Sequence, residues 1–193
     1  MHRDNAHRLP PGHVVAPLEL VTVDGEPVAV PDADRLVHLQ FRRFAGCPVC
    51  NLHLRSVARR HAEIEAAGVR EVVFFHSDAD ELREHTSDLP FAVIADPDRR
   101  WYRAFGVEAA PRALLDPRVW GPILRSVTLD LVAVVRHGKP LPSTSQPNGR
   151  IGLPADFLLD TDGRLIASKY GSHAYDQWSV DELLELTRVG VGR

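Results

Sequence analysis

The chain has 193 residues, 44% hydrophobic and 25% charged, enough for one enlarged globular core but short for two full domains. Its 23 basic and 26 acidic residues leave a formal charge of −3, which excludes the bulk basic excess that draws nucleic acid or anionic lipid. No run is apolar for long enough to span a bilayer, and the first residues lack the apolar stretch of a secretory signal. A cytoplasmic protein with no nucleic-acid or membrane partner is expected.

Residues 1–16 are polar and Pro-containing and read as a flexible leader to a single domain over 17–193. Alternation on either side of Asp24-Gly25 predicts a hairpin over Leu18–Val23 and Pro27–Val30. Leu36–Phe41 reads as a buried strand that runs into Cys47-Pro48-Val49-Cys50. Leu54, Val57, Ala58 and Ile64 then recur at helical spacing, with Pro48 suited to the first helical position and Gly68 to the stop. A second strand is expected from Arg70 to His76, and a short acidic helix to about Leu89, capped by Ser77 or Asp78. Pro90–Ala95 gives a third strand and Arg99–Phe105 a further short helix.

Residues 111–150 break this rhythm and read as a long insertion, with apolar positions from Trp120 to Val135 and then a Pro- and Ser-rich loop. Val119, Trp120, Ile123, Leu124 and Leu131 need a burial partner, either this chain's own core or a second copy in a homodimer. A second hairpin follows, Ala155–Asp160 and Arg164–Tyr170 around Asp162-Gly163. Ser179 and Glu182 then form a capping box that opens the last helix. Strand–helix alternation of this kind implies an α/β fold with a central sheet and helices on both faces.

The cysteines are the only two in the chain. A bridge between positions three apart closes too small a loop to staple a fold, so in a reducing compartment the pair reads as functional. At a helix start, the unpaired N–H groups and the helix dipole stabilise negative charge, and the thiolate is the reactive form of a thiol. The i, i+3 spacing puts both sulfurs on one face, where the second can resolve a mixed disulfide made by the first. Arg42 and Arg43 lie just upstream as sources of positive potential. His76 ends the next strand at the ligand-binding edge of such a sheet. A zinc site completed by His38 and His53, and a pair of inert buried thiols, stay open as alternatives.

Three ordered segments resemble one family: Leu39–Cys50, then Ala95-Asp96-Pro97-Asp98 with Ala104-Phe105-Gly106-Val107, then Gly152–Asp160 with Asp162-Gly163. Together they are similar to the thioredoxin superfamily, in its peroxiredoxin-like branch (alkyl hydroperoxide reductase/thiol-specific antioxidant, AhpC/TSA). The resemblance implies a thioredoxin-like fold with a central mixed sheet, an N-terminal hairpin and an insertion before the last hairpin. It also implies that Pro154 is the superfamily's cis-proline, forming a substrate groove beside the dithiol with Leu153, Pro48 and Val49. The peroxidase frame of Pro, Thr or Ser, and a distant Arg is replaced. With Cys50 in the peroxidatic position, those places hold Arg43, Cys47 and Pro154.

The leading expectation is a thiol–disulfide oxidoreductase in which Cys47 attacks and Cys50 resolves. It needs no metal or organic cofactor, acts on a protein or small-molecule disulfide, and is recharged by a thioredoxin- or glutathione-type reductant. A peroxide reductase with Cys50 peroxidatic and Cys47 resolving is the first alternative, and a non-catalytic thioredoxin-like binding module the second.

Overall fold

The computed structural model describes residues 8–107 and 152–190. The insertion 111–150, with its apolar positions and any dimer surface on them, lies outside the described residues.

Among the described residues seven strands and five helices follow in chain order: β1 (Leu18–Val21), β2 (Pro27–Val30), β3 (Leu36–Phe41), α1 (Pro48–Arg59), α2 (His61–Ala66), β4 (Val69–Phe75), α3 (Ala79–Thr86), β5 (Ala92–Ala95), α4 (Arg100–Ala104), β6 (Ala155–Leu159), β7 (Leu165–Tyr170) and α5 (Val180–Gly190). The central sheet has the order β5-β4-β3-β6-β7. β3, β4 and β5 run parallel, while β6 and β7 are antiparallel, so the sheet is mixed. β1 and β2 form a separate hairpin whose turn is closed by the Gly25 N–H on the Thr22 carbonyl, at 3.0 Å. Gly25 has a φ of 90°, the left-handed backbone that only glycine adopts freely. The first strand stops at Val21, two residues short of expectation. Val23 leaves the hairpin and donates its N–H to the Val93 carbonyl, covering the open edge of β5.

The period of two along each strand separates the faces. On one face Val37, Leu39, Phe41, Val72, Phe74, Phe157 and Leu159 pack under the β1–β2 hairpin and against Tyr102 and Phe105. On the other face lie α1, α2, α3 and α5, through Leu54, Val57, Ile64, Leu82, Val180 and Leu183. Helices thus cover both faces, as expected of the α/β pattern. Each fully buried Phe, Leu or Val stabilises by roughly 1.5–3 kcal/mol, so these clusters hold the sheet.

The helix expected from Pro48 to Gly68 is divided at Arg60, whose φ of −111° and ψ of 16° leave the helical region. The Asp78 side chain makes no capping bond to α3, and the Ser77 hydroxyl accepts the Ala45 N–H at 3.0 Å instead. The capping box of α5 forms as expected, with Ser179 N–H on Glu182 at 2.7 Å and Glu182 N–H on Ser179 at 3.2 Å.

Residues 9–15, read from the sequence as part of a flexible leader, are laid along the second hairpin. Gly12 donates to the Leu165 carbonyl at 2.8 Å, Val15 to Gly163 at 2.9 Å, and Leu9 to the Tyr170 hydroxyl at 2.9 Å. A strand at the sheet edge has unpaired backbone groups, and this segment satisfies them. Among the described residues no helix is long and apolar enough to cross a membrane.

Candidate active site

The dithiol sits where the parallel ladder of β3 and β4 continues into loops. Arg42 N–H bonds the Phe74 carbonyl at 2.9 Å, and His76 N–H bonds the Arg43 carbonyl at 3.1 Å. With the Ser77–Ala45 bond, these contacts hold residues 42–46 against 74–77 and deliver Cys47 to the start of α1. Cys47 is the N-cap, with extended backbone, and Pro48 takes the first helical position. The Cys47 sulfur accepts the Cys50 N–H at 3.4 Å, which is the capping bond of the helix. Both cysteines are free thiols.

Both sulfurs are enclosed. Cys47 is 0% exposed and Cys50 5%, among Phe44, Val49, Leu54, Val73, Phe75 and Leu82. The helix start is tucked against the sheet by its apolar neighbours. The pocket is not purely apolar, however. Arg43, itself 4% exposed, places Nη2 at 3.0 Å from the Cys47 sulfur and is hydrogen-bonded to Cys50 as well. Arg43 thus stands against both sulfurs from four residues before Cys47 in the chain.

The two thiols are driven apart. Burial pushes the Cys50 thiol up, but a hydrogen bond from Cys47, the Arg43 charge, the Arg43 backbone N–H and the Arg42 charge outweigh it and bring it down to about 5. Burial pushes Cys47 up, and the hydrogen bond to Cys50 and its charge push the same way, against Arg43 and the Cys50 N–H. The direction is downward for Cys50 and upward for Cys47, while Arg43 Nη2 and the Cys50 N–H both donate to the Cys47 sulfur.

The other sequence candidates divide. His76 lies beside Arg43, and a side chain at Gly152 would meet Arg43 Cγ at 3.4 Å and His76 Nε2 at 3.9 Å. Burial and the Arg99 charge lower His76 to about 4, so it adds no positive charge to the thiols at neutral pH. The Leu153–Pro154 bond is trans, where the resemblance implied cis. Among the described residues the cis peptide is Val30–Pro31. A trans bond is the ordinary preference before proline. Leu153, Pro154 and Val49 are buried, Pro48 is half-buried, and Pro154 packs on Gly171, whose N–H it accepts at 2.8 Å. These four do not line an open groove.

Arg42 turns away from the thiols into a buried polar network that the sequence reading missed. Its Nη2 reaches Asp156 at 2.6 Å, Gln40 Oε1 at 2.6 Å and His53 Nε2 at 3.2 Å. His38 bonds Glu71 through Nδ1 at 2.9 Å and Asp156 through Nε2 at 3.3 Å. Burial alone would lower His38, but the Glu71 charge and the bonds to both carboxylates raise it to about 9. Burial and the Arg42 charge hold His53 neutral. His38 spends both ring nitrogens on carboxylates and His53 accepts from Arg42, so neither serves the zinc alternative. Among the described residues no group of three or more His, Cys, Asp or Glu is placed to hold a metal ion.

The AhpC/TSA family model matches residues 11–168, most of the chain. The chain belongs to the AhpC/TSA family. Membership makes it a thiol redox protein, and the neighbouring Cys47 and Cys50 are its dithiol. The fold is similar to that of peroxidoxin BcpB from Mycobacterium tuberculosis, with a TM-score of 0.64 and 17% identity over 93% of this chain and 96% of that one. It is similar to a cysteine-to-serine mutant of peroxiredoxin 6 from Arenicola marina, with a TM-score of 0.66 and 16% identity over 93% and 72%. A putative thiol:disulfide interchange protein DsbE from Chlorobium tepidum gives 0.57 and 18% over 94% and 97%. No curated protein matches the sequence. Peroxidase and disulfide-exchange proteins thus share the fold, and the thioredoxin-like expectation holds.

Proposed function

We propose that this chain reduces a small peroxide, with Cys50 as the attacking thiolate and Cys47 as the resolving thiol. The observation that carries the reading is the enclosed pair with the Arg43 guanidinium hydrogen-bonded to both sulfurs, an arrangement that lowers Cys50. A peroxide of a few atoms reaches such a sulfur more readily than a protein disulfide does. The Cys50 thiolate attacks one peroxide oxygen, the O–O bond breaks, and the leaving oxygen takes a proton to become an alcohol or water. Cys50 is left as a sulfenic acid. The Cys47 sulfur then attacks it: the S–S bond forms, the S–O bond breaks, and the Cys47 proton leaves with the hydroxyl as water. Disulfide formation removes the charge that Arg43 and the helix start bind, which loosens the first turn of α1 for the external thiol that returns two electrons. A thioredoxin- or glutathione-type reductant in a reducing, cytoplasmic compartment fits that step. This reverses the roles of the leading sequence expectation and takes up its first alternative.

Disulfide exchange led by Cys47 is the second reading, favoured by the Arg43 Nη2 bond to the Cys47 sulfur. Stoichiometric hydrogen peroxide with each single variant separates them. Sulfenic acid on Cys50 of Cys47→Ser, with Cys50→Ser inert to peroxide, supports the peroxidase. A stable mixed disulfide on Cys47 of Cys50→Ser with a protein disulfide, and no sulfenic acid on Cys50 of Cys47→Ser, would overturn it.

A further inference from the structure

The segment Ala95-Asp96-Pro97-Asp98 with Ala104-Phe105-Gly106-Val107 takes no part in the reaction above, yet it builds the seat of a side chain that reaches the site. The Asp96 carboxylate, just past β5, accepts the N–H groups of Arg100 at 2.9 Å, Trp101 at 2.8 Å and Tyr102 at 3.3 Å. These are donors that the start of α4 leaves unpaired. A five-residue helix does not hold by itself, so this carboxylate and the apolar packing fix it. Tyr102 is 2% exposed, with its ring edge-on to Phe41 at 5.1 Å and to His76 at 5.7 Å. Its hydroxyl donates to the Arg42 carbonyl, with the Phe74 carbonyl at 2.9 Å as a second acceptor.

The Arg42 carbonyl and the Arg43 N–H belong to one planar trans peptide and point in opposite directions. On the far side, that N–H donates to the Cys50 sulfur. The bonds from Arg42 N–H to Phe74 and from His76 N–H to the Arg43 carbonyl hold the two flanking peptides. The tilt of the peptide between them is held by Tyr102 at one end and the sulfur at the other. We infer that Tyr102 is a positioning residue for the thiol reaction, aiming the Arg43 N–H at Cys50 by holding the carbonyl of the same peptide. The inference rests on the reading that Cys50 carries the negative charge. The titratable and charged groups around that sulfur are Cys47, Arg43 and Arg42 together with Tyr102. His76, against Arg43, is neutral. Burial and the Asp96 and Cys50 charges keep the Tyr102 proton in place well above its usual range, so the hydroxyl remains a donor.

The test is the pH titration of thiolate absorbance in the Cys47→Ser protein, where Cys50 alone reports. It is repeated with Tyr102→Phe added, and separately with Phe105→Leu added, which loosens the same aromatic cluster without touching the peptide. Tyr102→Phe removes one oxygen and is expected to raise the Cys50 midpoint by about one pH unit, because a hydrogen bond to a charged group is lost or misdirected. Below both midpoints, the rate with hydrogen peroxide falls by about tenfold. Phe105→Leu leaves the midpoint in place. An unchanged midpoint in Tyr102→Phe, or an equal shift in Phe105→Leu, overturns the inference while leaving Cys50 as the thiolate. A Cys50 midpoint in the ordinary thiol range with Tyr102 intact instead overturns the thiolate assignment, and the positioning role with it, so the two failures read apart.

Discussion

Arg42 and Arg43 are neighbours in the chain, both buried, and they serve different anions. Arg42 continues the alternation of β3 on the face that carries His38 and Gln40, and meets the Asp156 carboxylate. Arg43 falls on the opposite side of the backbone and meets sulfur. The register builds the first site: Glu71 pairs with His38 across β4, and Asp156 pairs with Gln40 across β6, which sets polar groups side by side under α1. In that network the anions are carboxylates and keep their charge through a catalytic cycle. At the thiols the anion is the reactant, and its charge is lost on oxidation. The network is therefore a fixed scaffold, and the thiol site is a place where charge comes and goes.

The comparison is broken most severely by removing a fixed anion. Asp156→Ala leaves Arg42 buried without its carboxylate and is expected to cost about 3–5 kcal/mol in denaturant unfolding, the usual penalty for half of a buried pair. A cost below about 1 kcal/mol would mean that the network does not hold the sheet. Next in size is the pH dependence of His38, measured in a Cys47→Ser, Cys50→Ser protein so that thiols do not titrate. His38 is raised to about 9 in the fold, above its unfolded value of about 6.5. Its contribution is complete below the lower value and is lost as pH rises through the higher one, on the order of a few kcal/mol in all. His38→Gln is expected to flatten that slope between these limits.

Arg43→Met addresses the other site. It is expected to raise the Cys50 midpoint by about one to two pH units and to slow peroxide reduction, since an opposite charge beside a thiol shifts it by that order. Global stability is expected to change far less than in Asp156→Ala. Smallest of all is His76→Asn: a side chain that is neutral above about pH 4 contributes no cation. The thiolate midpoint is expected to move by less than about 0.3 unit. A shift as large as that of Arg43→Met would show that His76 acts on the sulfurs directly.

Much of this was legible in the residues. The dithiol at a helix start, the two hairpins and the Ser179–Glu182 box are local signals, written within a few positions of one another. Arg43 was visible as a nearby cation but not in its direction, which depends on how residues 42–46 leave the sheet. The polar network left half a signal, since His38, Gln40 and Arg42 recur every second residue and so share a face. Its other half, Glu71 and Asp156, sits on strands whose register the sequence does not state. The role of Tyr102 depends on one carbonyl sixty positions away in the chain. The docking of residues 9–15 escaped because its bonds are mostly backbone to backbone and carry no side-chain pattern.

The pH dependence of the peroxide reaction of Cys47→Ser reads the central claim most directly. A rate that is half-maximal in the acid range, near pH 5, is what a Cys50 thiolate held by Arg43 and the first turn of α1 predicts. A half-maximal rate near about pH 8.5, the value of an ordinary free thiol, would contradict it.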